Sequence, residues 1–265
     1  QTDPPHMALL LETAEAAYLA ADFEALDDLT DQLEQLQLDV LTHTRVVELQ
    51  IQGMMARNQM AAALALGERA LARLDVPLLP QAQPSDWPAV PNLGQLQLRL
   101  SDPPNARADA ALRVLVWLTP CAYVTSFDSY IRVILTMVGL ANAHPASPLT
   151  ALAYTNFGLV LCGTGQWQAG FAASELALDL SETDTDDTRR CKVNTLAYGF
   201  LRHWSRPSAE SLTPLLSTIE NCLISGDQEY LGYGAFLYCD KAWAVQTLDE
   251  LTHVHAGHTR LVEQF

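Results

Sequence analysis

Basic residues are scarce in this chain of 265: 15 Lys and Arg stand against 31 Asp and Glu, a formal net charge of −16. A phosphate-binding surface needs a local surplus of cations to displace counterions, and the few present are scattered, so nucleic acid is not an expected partner. No apolar run approaches the ~20 residues that a spanning helix requires, so no membrane contact is expected either. The signatures of common catalysis are missing too. The chain has no GxxxxGK[ST] phosphate loop, no GxSxG, no HExxH and no kinase HRD or DFG. Ser, His and Asp occur, but no spacing sets a nucleophile beside a base or two carboxylates in a cleft. The chain is therefore read as a non-enzyme that needs no cofactor. Its cysteines, Cys121, Cys162, Cys191, Cys222 and Cys239, are odd in number, widely spaced and set among Leu, Val and Ala. They read as reduced, buried thiols of a cytoplasmic protein. No signal peptide is read. The opening QTDPPHMALLLE lacks an initiator Met at position 1, which suggests a piece of something longer.

Hydrophobic residues make up 49% of the chain, ample for one large domain or an array of small units. Helical periodicity dominates and alternating β-branched runs are almost absent, so the expected class is all-α. Three stretches align: AEAAYLAADFEALDDL from Ala14, IQGMMARNQMAAALAL from Ile51 and GLVLCGTGQWQAGFAA from Gly158. Each has a helix, a break, a bulky residue, and a small or apolar residue three positions on. The breaks are Ala21-Asp22, Arg57-Asn58 and Gly163-Thr164-Gly165; the bulky residues are Phe23, Met60 and Trp167; the residues after them are Leu26, Ala63 and Gly170. The first two copies are offset by 37 residues, close to the ~34-residue tetratricopeptide repeat. The break, formed by glycine or a residue tolerant of positive φ, reverses the chain between antiparallel helices. Small residues let the helices approach, and the bulky residue is expected to plug the groove between them. One such pair cannot bury both faces, so an α-solenoid of stacked, tetratricopeptide-like helix pairs is expected.

The expected layout is N-terminal repeats over 1–80, a Pro-rich connection over 81–107, and C-terminal repeats over 108–265. DVPLLPQAQPSDWPAVPNLG carries five prolines, which forbid a long helix. Trp87 is expected to anchor it, and Pro120 to end or kink the helix that starts near Ala108. Two later pairs, through VNTLAYGFLRHW with SLTPLLSTIENCLISGD and from YLGYGAFLYCDKAWAVQTL, are less regular.

ETAEAAYLAADFEALDDL, VVELQIQGMMARNQMAAALALGERALARLDVPL, SPLTALAYTNFGLVLCGTGQWQAGF, GFLRHW and SGDQEYLGYGAFLYC resemble the helical-repeat region of large bacterial hybrid signalling proteins. In that family an AAA-type or signal-transduction ATPase is joined to this region, with a sensor histidine kinase or a serine/threonine kinase in the same polypeptide. The resemblance spans about Leu9 to Leu251 and rests on the order and spacing of packing residues. It implies a regulatory segment whose catalytic labels belong to the parent protein, and whose partner is a protein or peptide, above all other domains of the same polypeptide.

Four strings could carry a site. In HVHAGH, His253 and His255 would point about 200° apart on a helix, leaving His255 and His258 as the pair that could share a metal. In RHW, Trp204 could stack on a ligand or peptide beside Arg202 and His203, or close the end of its own repeat. In YCDKAW, Asp240 and Lys241 are neighbours that do not share a helix face, and Lys241 is read as solvent-facing. SETDTDD reads as a solvated acidic loop that could bind a cation. A self-contained small-molecule sensor is the alternative; it needs a closed pocket lined by aromatics such as Tyr198, Trp204 and Tyr233. A passive spacer is the third reading.

Overall fold

The computed structural model describes residues 4–80, 83–252 and 256. Twelve α-helices and no strand occur among them. The chain divides into two compact units, one of residues 1–88 and 102–147, the other of residues 89–101 and 148–265.

The first unit begins with α1 (Pro4–Leu19), α2 (Phe23–Glu34), α3 (Val40–Ala56) and α4 (Met60–Arg73). Each of these helices packs on the next, and α5 (Leu93–Gln97) belongs to the second unit. The unit is completed by α6 (Ala106–Thr125) and α7 (Phe127–Ala143), with α6 lying on both α3 and α4. Leu26, Leu33, Ile51, Leu71, Leu112 and Leu118 are fully buried there. The Pro-rich segment is tied to this unit by backbone at Leu79, whose N–H donates to Thr136 Oγ1 at 2.9 Å and whose carbonyl accepts from Arg132 Nε at 3.0 Å. Trp87 is half-buried. Pro120 does not end its helix: α6 runs on to Thr125. Proline removes one donor to the Val116 carbonyl, yet Leu115, Leu118, Cys121 and Ala122 around it are all fully buried, and that packing carries the helix through.

The second unit contains α8 (Thr150–Gly163), α9 (Trp167–Ser181), α10 (Asp187–Leu196), α11 (Leu212–Ser225) and α12 (Gln228–Trp243). Between α10 and α11 lie a π-helical turn, Ala197–Leu201, and a 3-10 turn, Arg202–Trp204. Helix α8 is buried almost all round, with Tyr154 and Phe157 at its heart, as expected of a central helix. Against it α9 comes unusually close: a Cβ on Gly170 would stand 2.9 Å from the Gly158 carbonyl oxygen.

The expected chain reversals occur where the sequence places them. Ala21, Asn58 and Gly165 all have positive φ, at 55°, 58° and 84°. In each case the next residue's N–H reaches back to close the preceding helix: Asp22 to the Ala17 carbonyl at 2.9 Å, Gln59 to Met54 at 2.8 Å and Gln166 to Leu161 at 2.8 Å. Together with the bonds from Ala21, Asn58 and Gly165 to carbonyls three residues back, these are Schellman turns. Two further turns outside the aligned copies have the same six-to-one bond: Asp75 (φ 62°), where Val76 N–H reaches the Leu71 carbonyl at 2.9 Å after α4, and Gly226 (φ 76°), where Asp227 N–H reaches the Cys222 carbonyl at 3.1 Å and α12 starts one residue later. Leu26, Ala63 and Gly170 are buried as expected. The bulky position varies. Phe23 packs as expected against Ala14, Ala17, Leu26 and Leu49, Met60 is half-buried, and Trp167 keeps nearly half of its surface in solvent.

Candidate recognition surface of the second unit

Two leucines pack tightly at the π turn. Leu201 is fully buried with its side chain 2.9 Å from where a Gly158 Cβ would be, and Leu237 of α12 sits 2.5 Å from the Cβ position of Gly199. Both contacts need a glycine. They hold the segment that follows, Arg202-His203-Trp204, at the surface between α9 and α12.

Trp167, Phe171 and Glu175 recur every four residues and so share one face of α9. Each meets a residue of the π and 3-10 turns. Trp167 and Trp204 lie with centroids 6.3 Å apart and planes tilted by 32°. The Arg202 guanidinium lies 5.8 Å from the Phe171 ring and 5.2 Å from the Tyr198 ring, and its Nη1 is ion-paired with Glu175. The His203 ring lies 5.4 Å from that of Trp204, with the planes tilted by 30°. Trp167 and Trp204 are 44% and 48% exposed, so much of both indoles faces solvent. Arg202 Nε and His203 Nδ1 are buried without a hydrogen-bond partner. Burial, and then the Lys241 ammonium, pull His203 below the ordinary imidazole value, with Asp240 opposing. The groups assembled here supply stacking area and a cation fixed between two rings, the chemistry of recognition.

Of the residues expected at a site, Tyr198, Arg202, His203 and Trp204 are thus brought together. Tyr233 is elsewhere, on the solvent face of α12, edge-on to Tyr230 at 5.7 Å. Trp167 was missed as a member because its repeat position marked it for packing; the four-residue spacing Trp167, Phe171, Glu175 was the available signal. Lys241 is not solvent-facing: it is buried, and its Nζ lies 3.0 Å from Asp240 Oδ2. Three of the four acids of the acidic loop are ion-paired within the chain, Asp184 and Asp186 with Arg189 and Asp187 with Arg190. Arg189 donates to both oxygens of Asp184, at 2.8 and 2.7 Å, and to Asp186 at 2.7 Å. Burial pushes the Asp184 carboxyl up, but its bonds to Arg189 outweigh this and hold it below the usual value. Among the described residues no cluster of three or more His, Cys, Asp or Glu could hold a metal ion. His255 and His258 lie outside the described residues. All five cysteines are free thiols. No helix among the described residues is long and apolar enough to cross a membrane.

An open cleft of about 290 Å³ in the first unit is lined by Leu41, Thr42, Arg45, Ala106, Asp109 and Arg113. Its cations are already matched, Arg113 by Glu48 at 3.0 Å and Arg45 by Glu15 at 3.8 Å. It offers less to a partner than the indole pair. No protein-family model, curated protein or solved structure matches the chain.

Proposed function

We propose that this chain is a non-catalytic, cytoplasmic interaction module of tetratricopeptide-like helix pairs, and that it holds a protein or peptide partner on the Trp167–Trp204 surface. The observation that carries the reading is that surface: two partly exposed indoles and an imidazole, next to an Arg202 that is ion-paired with Glu175 and set against the Phe171 and Tyr198 rings. Such aromatic and arginine clusters are the groups most enriched in binding hot spots. The recurring Schellman turns support the helix-pair unit, and stacking of such units is the solenoid we propose. Following the resemblance, we place the module in a bacterial signal-transduction ATPase-kinase, where a bound partner favours one solenoid curvature over another and so biases the attached catalytic domain.

A small-molecule sensor is the second reading, and the orphaned Arg202 Nε and His203 Nδ1 are what favours it, since a ligand acceptor could satisfy them. The exposure of Trp204 and Tyr233 favours an open surface over a closed pocket. A thermal-shift screen with short peptides and with metabolites, followed by calorimetry, separates the two. Trp167→Ala with Trp204→Ala should weaken a bound peptide by about 2 kcal/mol, roughly thirtyfold, a typical hot-spot loss. A peptide bound equally by wild type and this double variant would refute the assignment.

A further inference from the structure

The outer face of the last described helical hairpin is apolar and bare. Tyr233, Phe236, Asp240 and Trp243 follow one another on α12 at spacings of three, four and three residues, which places them in a single stripe about 15 Å long. The three aromatics are 52%, 68% and 72% exposed. The opposite side of α12, with Leu231, Ala235, Leu237, Tyr238 and Ala242, is packed into the core of the unit. Helix α11 leaves Leu216, Leu223 and Ile224 exposed, and Val245 and Leu248 remain exposed beyond α12. Large aromatics on the solvent face of a helix mark a surface meant to be covered.

Charge decides what covers it. From Ser208 to Thr252 the chain carries seven acids and a single basic residue, Lys241, which is buried and held by Asp240; Lys192 of α10 reaches this stretch, 3.9 Å from Asp227 and close to Glu229, and the acids still outnumber the cations by far. A second copy would bring the same acidic surface and a net charge of −16 against its like. An anionic bilayer is repelled in the same way. We infer that the α11–α12 face is the docking site for a basic amphipathic helix, whose aliphatic face covers Tyr233, Phe236 and Trp243 while its Lys and Arg residues meet Glu220, Glu229 and Asp240. The inference rests on the reading of the chain as an interaction module, though not on the Trp167–Trp204 surface.

The test uses the full chain and fluorescein-labelled model helices of about 18 residues, five turns: a Leu/Lys amphipathic peptide, a Leu/Glu peptide of identical apolar pattern, and a Leu/Lys peptide scrambled to lose its apolar face. Fluorescence anisotropy should show the first binding at least about tenfold tighter than the other two, a difference of ~1.4 kcal/mol. Phe236→Ser with Trp243→Ser should weaken that binding at least about tenfold, whereas Leu9→Ser, a change at an exposed leucine in the first unit, should not. Glu220→Lys with Asp240→Lys keeps the apolar stripe and should weaken binding severalfold, with circular dichroism confirming helix content in every variant. Equal binding of the Leu/Glu or scrambled peptide, or unchanged binding by both double variants, overturns the inference. So does a wild-type dimer in sedimentation velocity that Phe236→Ser with Trp243→Ser dissolves, because the occupant is then a second copy. None of these readouts passes through Trp167 or Trp204, so this inference and the function proposed above fail separately.

Discussion

Gly170→Ala should destabilise the protein even though alanine is the better helix former. In a helix interior the exchange ordinarily gains up to about 1 kcal/mol. At position 170 the new Cβ would stand 2.4 Å from Cys162 Sγ, 2.9 Å from the Gly158 carbonyl oxygen and 3.2 Å from the Cys162 backbone nitrogen. The sulfur can turn away. The two backbone atoms can yield only if α9 moves off α8, the buried centre of the second unit. Overpacking of this kind costs ~1–3 kcal/mol, and the backbone contacts put it at the upper end, so the net loss should be about 1–2 kcal/mol. At 2–4 °C per kcal/mol for a chain of roughly this size, Tm should fall by about 2–8 °C. Gly232→Ala is the internal control: it lies in a helix of the same unit with nothing within 4 Å of its Cβ position, and it should gain about 0.4–1 kcal/mol. Urea denaturation with unchanged m-values reads both effects. Adding Cys162→Ala to Gly170→Ala should recover only part of the loss, because the Gly158 oxygen remains. A neutral or stabilising Gly170→Ala, or full recovery by Cys162→Ala, would refute the claim that backbone contact sets the α8–α9 spacing.

The Schellman turns predict opposite signs at equivalent positions. Ala21→Gly relieves an alanine at φ 55° and should stabilise by about 0.5–1 kcal/mol, whereas Gly165→Ala, at φ 84° with open space around it, should lose about 1 kcal/mol from backbone strain alone. Urea midpoints check both, and equal signs would show that these turns are not under conformational strain. His203 sets a pH dependence. Its folded pKa lies below the unfolded value of 6.5 because of burial and then Lys241, so the fold disfavours its protonated form. The stability it contributes is present above pH 6.5 and is lost as pH falls through the folded pKa. Between about pH 7.5 and pH 5 the urea midpoint of wild type should therefore drop more than that of His203→Gln. His43 shares the direction, lowered by burial and then Arg73, so only the difference between the two proteins isolates His203. An NMR titration of the His203 ring at or above 6.5 would contradict the assigned surroundings.

Much of the local architecture was legible because it is set by neighbours in sequence. Positive φ selects Gly or Asn strongly enough that Gly165 and Asn58 announce their turns, and alignment to them located Ala21, which has no such preference of its own. The turn at Gly226 escaped because Gln228 replaces the bulky residue, although Gly226 followed by an Asp that caps the next helix was the available signal. Pro120 does not end α6, because its cost is local while the packing that carries the helix past it comes from α3, α4 and α7. The candidate site was half legible. RHW marked Arg202, His203 and Trp204, but their meeting with Trp167, Phe171 and Glu175 depends on a π turn packed by Leu201 and Leu237, residues that only the folded chain brings to Gly158 and Gly199.

By itself the sequence determined the helical class of the described residues, the positions where aligned helices reverse, and an overall shortage of cations. These follow from backbone preferences and composition, which need no partner. Which aromatics stay outside was decided by the tertiary structure alone. Periodicity shows that a helix has an apolar face, but α12 carries apolar residues on both sides, and Leu237 or Phe236 becomes core only according to the neighbour that packs there. Hydrophobicity is the same for a residue that fills a core and for one left to meet a partner; burial, a property of the fold, separates them.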